Sequence, residues 1–182
     1  MTRAVILIES GFQDEEFVFP YYRMLEESWR VDIASPDGAA RIGKYGVPAR
    51  VNRIVGNLYA EEYDLVLIPG GFECPDRLRI DEPTLAFVRA MHDAGKLVAA
   101  ICHGPWVCIS AGVVKGRHVC GYKSIRTDLE NAGAHYSYAA VITDGNLITA
   151  DHYRSNGPFM QTVVHYVNHH RREQYAEGAH AI

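Results

Sequence analysis

This 182-residue sequence lacks several residue patterns that indicate common protein functions. Its four cysteines form neither a CxxC pair nor a zinc-type spacing, and its nine histidines include no pair at clear metal-ligand spacing. We therefore expect free thiols and no bound metal. Lysine and arginine form no run and the formal net charge is -4, so neither nucleic acid nor an anionic membrane is expected as a partner.

Long apolar segments are also absent. No stretch approaches the length of a membrane helix, and the first residues lack the charged region, apolar segment and cleavage site of a signal peptide. These absences predict a cytoplasmic protein. The hydrophobic content of 48% is sufficient for one core, so we expect a single domain over residues 1–172 and a polar tail over residues 173–182.

Strand-like and helix-like segments alternate along the chain in the rhythm of βαβ units. Apolar runs predict strands at 4–9, 30–34, 65–68 and 97–101, and apolar periodicity predicts helices at 15–27, 83–94, 105–111, 124–131 and from 155 or 156 onward. Ser124 is the expected cap of its helix, a polar Gly-rich excursion spans 36–60, and a hairpin turn is expected around Asp144-Gly145. This rhythm predicts an open, mostly parallel sheet.

The run Ala100-Ile101-Cys102-His103-Gly104 has the spacing of a nucleophile elbow, in which small flanking residues let a strand turn sharply into a helix. A helix N-terminus beyond the cysteine would favour its thiolate and lower its pKa. Cys102 is therefore the candidate nucleophile, the alternative being an ordinary buried cysteine. Polar residues that follow two other strands, at 9–16 and 69–76, could converge on it because ligands bind beyond the carboxyl ends of parallel strands.

These motifs together resemble the ThiJ/PfpI superfamily over nearly the whole chain. The segments that carry the resemblance are DEEFVFP at 14–20, LIPGG at 67–71, AAICHGP at 99–105, ISAGVVKGR at 109–117 and IRTDLENAG at 125–133. The last two are typical of the PfpI branch, the so-called intracellular cysteine peptidases. The resemblance implies a flavodoxin-like, doubly wound α/β fold of the class I glutamine amidotransferase type, with helices on both faces of the sheet. It also implies a homodimer or hexamer with sites at interfaces, and no cofactor.

The same resemblance implies roles for particular residues. Glu16 is expected to hydrogen-bond the Cys102 sulfur, which is physically sensible because a protonated carboxyl can donate to a thiolate. His103 is the candidate base. The backbone N–H groups of Gly71 and His103 are the expected oxyanion hole. An acid from a neighbouring subunit is expected to orient His103, and here it is Asp76 or its rival Glu73.

Three further residues are expected near the substrate by position: Phe72, Tyr122 and His152. Tyr122 could equally be a core tyrosine. Cys74, beside the double glycine, could act as a resolving thiol during oxidation or be a plain loop cysteine.

The chemistry implied is nucleophilic attack by Cys102 on an electrophilic carbonyl of a small compound or a peptide. Attack on an amide gives a peptidase or amidase. Attack on an α-oxoaldehyde such as methylglyoxal gives the glyoxalase III or deglycase reaction. Two other functions remain open: the protein is a hydratase of a small substrate, or it is a redox-responsive stress protein or chaperone.

Overall fold

An open seven-stranded sheet forms the centre of the molecule. A computed structural model describes residues 1–179, and side chains as far as residue 170. The strands of the central sheet are β1 (Arg3–Leu7), β2 (Arg30–Ser35), β5 (Arg53–Ile54), β6 (Leu65–Ile68), β7 (Leu97–Ile101), β10 (Val141–Asp144) and β11 (Leu147–Ala150). Their spatial order is β10-β11-β7-β6-β1-β2-β5, and all neighbours are parallel except β10 and β11.

The middle of this sheet is apolar on both faces. Every residue of β6, β7 and β11 is buried, which is the pattern of strands covered by helices on two sides. The helices are α1 (Asp14–Glu26), α2 (Glu73–Leu78), α3 (Glu82–Asp93), α4 (Pro105–Ser110), α5 (Arg126–Asn131) and α6 (Asn156–Ala179). Helices α1 and α6 pack together, while α4 packs against α2, α3 and α5. The predicted flavodoxin-like α/β architecture is confirmed.

Two small sheets lie outside the central one. Strands β3 (Arg41–Ile42) and β4 (Pro48–Ala49) form an antiparallel hairpin, and β8 (His118–Val119) pairs with β9 (His135–Tyr136) in parallel. The buried carboxylate of Asp14 accepts hydrogen bonds from the backbone N–H groups of Tyr45 and Val47, both at 2.9 Å. The tip of the β3–β4 hairpin is therefore fixed to the first turn of α1.

Two local expectations need correction. The segment around Cys74 is not a loop but helix α2, in which Cys74, Pro75 and Leu78 are buried. Ser124 does not cap a helix, because it lies in a 3-10 turn (Lys123–Ile125) and α5 begins after Ile125 without a side-chain cap. The other 3-10 turns are Val55–Asn57, Ala60–Glu62 and Tyr153–Ser155.

The C-terminal helix passes through the expected start of the polar tail. Helix α6 begins at Asn156, as the sequence indicates, and continues to Ala179, while residues 180–182 lie outside the described part of the chain. The division at residue 173 stays a prediction. Over the residues that the structure describes, no helix combines the length and apolar character needed to cross a membrane.

Candidate active site

The candidate site lies beyond the carboxyl ends of three adjacent strands. Strands β1, β6 and β7 are neighbours in the sheet, and each ends at the same edge because they are parallel. The chain after β1 leads into α1 and Glu16, the chain after β6 gives Gly70 and Gly71, and the chain after β7 gives Cys102. The convergence expected from the sequence is present.

Cys102 lies on a strained turn. Its φ is +61°, a left-handed conformation that non-glycine residues seldom adopt. The turn is held from both sides, since the Cys102 N–H donates to the carbonyl of Ala150 at 2.9 Å and its carbonyl accepts from Tyr122 N–H at 2.8 Å. A Cβ on Gly104 would collide with the carbonyl of Ile68. The small residue after the elbow is therefore a packing requirement.

Glu16 is the buried carboxyl of the site. Its side chain has no exposed surface, and its Oε2 accepts a hydrogen bond from Gly70 N–H at 2.7 Å. A Cβ on Gly70 would lie 2.6 Å from that oxygen and 2.7 Å from Cys102 Cβ, so only glycine fits between the two groups. Burial raises the pKa of Glu16 from 4.5 to about 7, against the lowering effects of the bond from Gly70 and the contact with Cys102.

The second carboxyl oxygen, Glu16 Oε1, is buried without a conventional hydrogen-bond partner among the described residues. Burial therefore disfavours the ionised carboxylate more than its hydrogen bonds favour it, and protonation removes that cost. We therefore assign a proton to Glu16 near neutral pH.

The Cys102 thiol has a pKa raised first by burial and then by the negative charge of Glu16. This is opposite to the lowering expected from a helix N-terminus, because α4 is short and the desolvation of a nearly covered sulfur outweighs it. The backbone N–H groups of Gly71 and His103 act in the other direction by hydrogen-bonding the sulfur. Protonation of Glu16 removes the negative charge that raises the pKa of Cys102, so the thiolate is favoured when Glu16 holds its proton.

The backbone conformation at position 71 requires a glycine. Its φ is +75°, and a Cβ there would overlap the backbone of Gly11, Phe12 and Gln13. Its N–H and that of His103 are both directed to the region of the Cys102 sulfur. These are the two donors that the ThiJ/PfpI resemblance assigns to an oxyanion hole, and that role stays a prediction.

His103 contacts the nucleophile directly, although the two residues are adjacent in sequence. Its Nδ1 lies 3.3 Å from Cys102 Sγ and its Nε2 lies 3.1 Å from Ser124 Oγ. The ring stacks on Tyr122 at 4.9 Å and meets Trp106 edge-on at 5.1 Å. Burial lowers the pKa of His103, and the positive charge of Lys44 lowers it further, so the imidazole is neutral at pH 7.

The expected third acid does not meet His103 within the described part of one chain. Glu73 and Asp76 are exposed on α2, and Glu73 pairs with Arg77 at 3.7 Å. The partner of His103 inside the chain is the hydroxyl of Ser124 instead. A carboxylate supplied by a second subunit stays a prediction.

The predicted substrate contacts surround the elbow unequally. Tyr122 bridges the rings of His103 and His152, and its centroid lies 5.7 Å from that of His152. These rings continue into a groove of about 540 Å³ that Tyr136 and Tyr138 also line. Phe72 lies on the other side of the site, after Gly71, with 53% of its surface exposed. Within the described residues, no three potential metal ligands cluster.

Sequence reasoning missed two residues of this site. Ser124 was assigned to a helix cap, and only the fold shows that its hydroxyl faces His103. Lys44 lies in the Gly-rich excursion, where no periodicity or motif marks it, and the hairpin carries it to the site. No signal in a single sequence could have found it.

The remaining cysteines are structural. Cys74 is fully buried, its sulfur accepts a hydrogen bond from Glu9 N–H at 3.2 Å, and burial raises its pKa to about 12. Burial raises the pKa of Cys108 to about 12 as well. Both side chains are completely covered, so no second thiol or oxidant contacts them, and the resolving role considered for Cys74 has no support here.

The chain is similar to characterised proteins over most of its length. Deglycase PfpI from Pyrococcus furiosus is 38% identical over 150 residues, covering 82% of this chain and 90% of that protein. YraA of Bacillus subtilis, provisionally named a cysteine protease, is 36% identical over 149 residues, with coverage of 81% and 88%.

A solved structure shows the same fold. A two-domain protein from Anabaena variabilis, with DJ-1/ThiJ/PfpI-like and ferritin-like domains, superposes with a TM-score of 0.90 at 32% identity, over 92% of this chain and 48% of that one. The model of the DJ-1/PfpI family matches residues 2–166. Fold, elbow and sequence agree that this chain belongs to the DJ-1/PfpI family.

Proposed function

We propose that this protein is a cysteine-dependent enzyme that converts α-oxoaldehydes such as methylglyoxal into α-hydroxy acids, the glyoxalase III or deglycase type of reaction, without a cofactor. The observation that carries the proposal is the fully buried Glu16 beside Cys102, with a pKa raised to about 7. A carboxyl of that pKa can give and take protons at neutral pH, which this reaction requires in successive steps. Relatives named deglycases support the same choice.

The first step is addition of the thiolate to the aldehyde. The Cys102 sulfur forms a bond to the aldehyde carbon, the carbonyl π bond breaks, and Glu16 delivers its proton to the resulting alkoxide. The N–H groups of Gly71 and His103, which hydrogen-bond the sulfur in the free enzyme, support the negative oxygen during this step. The product is a neutral hemithioacetal, and Glu16 is left as a carboxylate.

The second step moves a proton between adjacent carbons. The Glu16 carboxylate removes the proton from the former aldehyde carbon, giving an enediolate, and returns it to the neighbouring carbon, while the proton of the hemithioacetal hydroxyl passes to the neighbouring oxygen. The result is an α-hydroxy thioester on Cys102. A neutral His103 then accepts a proton from water, whose oxygen attacks the thioester carbon, and the C–S bond breaks to release the hydroxy acid.

A peptidase or amidase is the second candidate. The 3.3 Å contact between His103 and Cys102 and the provisional name of YraA favour it. Against it stands the partner of His103, a serine hydroxyl where a peptidase triad needs an acid or amide. Only a carboxylate from a second subunit would complete the triad.

Two substrates separate these candidates. Purified protein is incubated with methylglyoxal, with lactate measured as product, and separately with a fluorogenic peptide. We expect lactate formation that Cys102→Ser and Glu16→Gln both abolish and that Cys108→Ala, a change in the core, retains.

Peptide hydrolysis without lactate formation would move the assignment to the peptidase. Turnover of neither substrate, with selective peroxide oxidation of Cys102, would favour the redox-responsive reading. Full activity of Cys102→Ser would overturn the nucleophile itself.

A further inference from the structure

Lys44 is a cation at the mouth of the site whose position the fold specifies. It lies at the tip of the β3–β4 hairpin, where its own N–H donates to the carbonyl of Phe12 at 2.8 Å and Gly43 N–H donates to Val47 at 2.8 Å. A Cβ on Gly43 would collide with the Asp14 carboxylate, so the hairpin is seated closely on α1. The Lys44 side chain is exposed, but its backbone is held in place by these contacts.

The same short segment supports both Lys44 and the oxyanion donors. Phe12 accepts the hydrogen bond from Lys44, and Gln13 N–H donates to the carbonyl of Gly70 at 3.1 Å. Gly71 packs against the backbone of both Phe12 and Gln13. The lysine and the glycine pair are therefore held in a fixed relation through one loop.

The ammonium group of Lys44 sits between two aromatic rings. Its Nζ lies 5.3 Å from the centroid of Tyr45 and 5.9 Å from that of Phe72, the residue after Gly71. Among the residues that the structure describes, no carboxylate oxygen comes within 4.0 Å of this ammonium group. The charge acts instead on His103, whose pKa it lowers. A cation that acts on His103 and has no counter-ion of its own can receive a negatively charged ligand.

We infer that Lys44 binds the carboxylate of the hydroxy-acid product and of those small carbonyl compounds that carry one, and so directs the site toward anionic ligands. The inference deepens the proposed function, on which it rests for the identity of the product. Ion pairing of an ammonium with a carboxylate is a charge-assisted contact, and the rings of Tyr45 and Phe72 lie within cation–π distance of the ammonium group.

Two alkylating reagents test this charge preference without relying on turnover. Iodoacetate and iodoacetamide have the same reactive carbon, and each forms an S–C bond to Cys102 as iodide leaves, but only iodoacetate carries a negative charge. The ratio of their rate constants cancels any change in thiolate content or nucleophilicity. Removing the positive charge that acts on His103, in Lys44→Gln, should lower the ratio of the iodoacetate to the iodoacetamide rate constant. We expect a fall of only about fivefold, because water screens an exposed ammonium group.

Matched variants show whether a change in this ratio comes from the charge of Lys44. Lys44→Arg should restore most of the ratio, whereas Lys115→Gln, which removes an exposed lysine elsewhere, should leave it unchanged. Added salt should lower the ratio in the natural protein and hardly affect it in Lys44→Gln. An unchanged ratio in Lys44→Gln would overturn the inference, as would a fall of equal size in Lys115→Gln.

Inhibition by the product extends the test to the proposed reaction. Lactate should inhibit methylglyoxal turnover more strongly than its neutral amide, and Lys44→Gln should remove that preference. A charge-dependent alkylation ratio without methylglyoxal turnover would reject the proposed function and keep the anion site. Turnover with no charge preference in either assay would do the reverse.

Discussion

The proton held by Glu16 should be visible as a pH dependence of stability. Burial raises the pKa of this carboxyl in the folded protein from 4.5 to about 7. The folded state therefore binds more protons than the unfolded chain between these pH values, and the free energy of unfolding falls as pH rises through that window. The contribution of Glu16 is complete below pH 4.5 and has been lost once the pH passes about 7.

The size of the effect follows from the shift itself. Each pKa unit corresponds to about 1.4 kcal/mol, so moving from 4.5 to about 7 amounts to about 3 kcal/mol. Little solvent screening applies because the side chain has no exposed surface. Glu16→Gln keeps an acceptor for Gly70 N–H but cannot ionise. It should therefore gain about 3 kcal/mol relative to the natural protein between pH 4.5 and pH 8.

Urea denaturation at several pH values measures this difference. Glu26→Gln, an exposed change on the same helix with 71% of the native side chain accessible, should give a curve parallel to that of the natural protein. Infrared spectroscopy supplies a second measurement on the natural protein, in which the band of a protonated carboxyl should vanish above about pH 7. Parallel curves for the natural protein and Glu16→Gln, with no such band, would refute the assignment.

Three further outcomes follow from the site geometry. The value of kcat/KM for methylglyoxal should rise with pH as His103, whose pKa is lowered, loses its proton, and should fall above about pH 7 as Glu16 ionises. His103→Gln should remove only the acidic limb, and an unchanged acidic limb in that variant would contradict the role of His103. Activity that keeps rising past pH 9 would contradict the role of Glu16. Gly71→Ala should lower the free energy of unfolding, measured in urea, by about 1–3 kcal/mol, because the new Cβ overlaps the neighbouring backbone and the φ of +75° is strained for alanine. Gly46→Ala is the control, since its φ is +99° but nothing lies within 4 Å. An equal loss in Gly46→Ala would show that backbone strain, and not overlap, causes the destabilisation. Ser124→Ala should reduce kcat about fivefold with little change in stability, because His103 Nε2 loses the hydroxyl that contacts it. Unchanged steady-state kinetics would show that another group orients the ring.

Much of the fold could be predicted because its central strands are short and wholly apolar. The runs at 65–68 and 97–101 coincide with β6 and β7, and glycine or proline marks the end of each. Segments that fold only against others were harder to predict. Helix α2 has six residues and exists because Cys74 and Leu78 bury against the core, which no local periodicity shows.

The site was predictable where a motif fixes backbone geometry. The elbow, the double glycine and Glu16 each occupy the end of a strand or the start of a helix, and parallel strands bring such ends together. The ionisation of Cys102 was predicted in the wrong direction, because burial depends on tertiary packing. Ser124 and Lys44 reach the site from a turn and a hairpin whose placement only the folded chain determines.

The anchoring of the β3–β4 hairpin suggests how members of one family could diversify. Two backbone N–H groups at its tip bind the Asp14 carboxylate, while the nucleophile is held separately by Ala150 and Tyr122. A graft that replaces residues 44–47 but keeps Gly43 and those two N–H groups would exchange the mouth of the site and leave the elbow in place. The hairpin is thus an interchangeable cassette, through which evolution or protein engineering can alter substrate choice while the reaction chemistry stays the same.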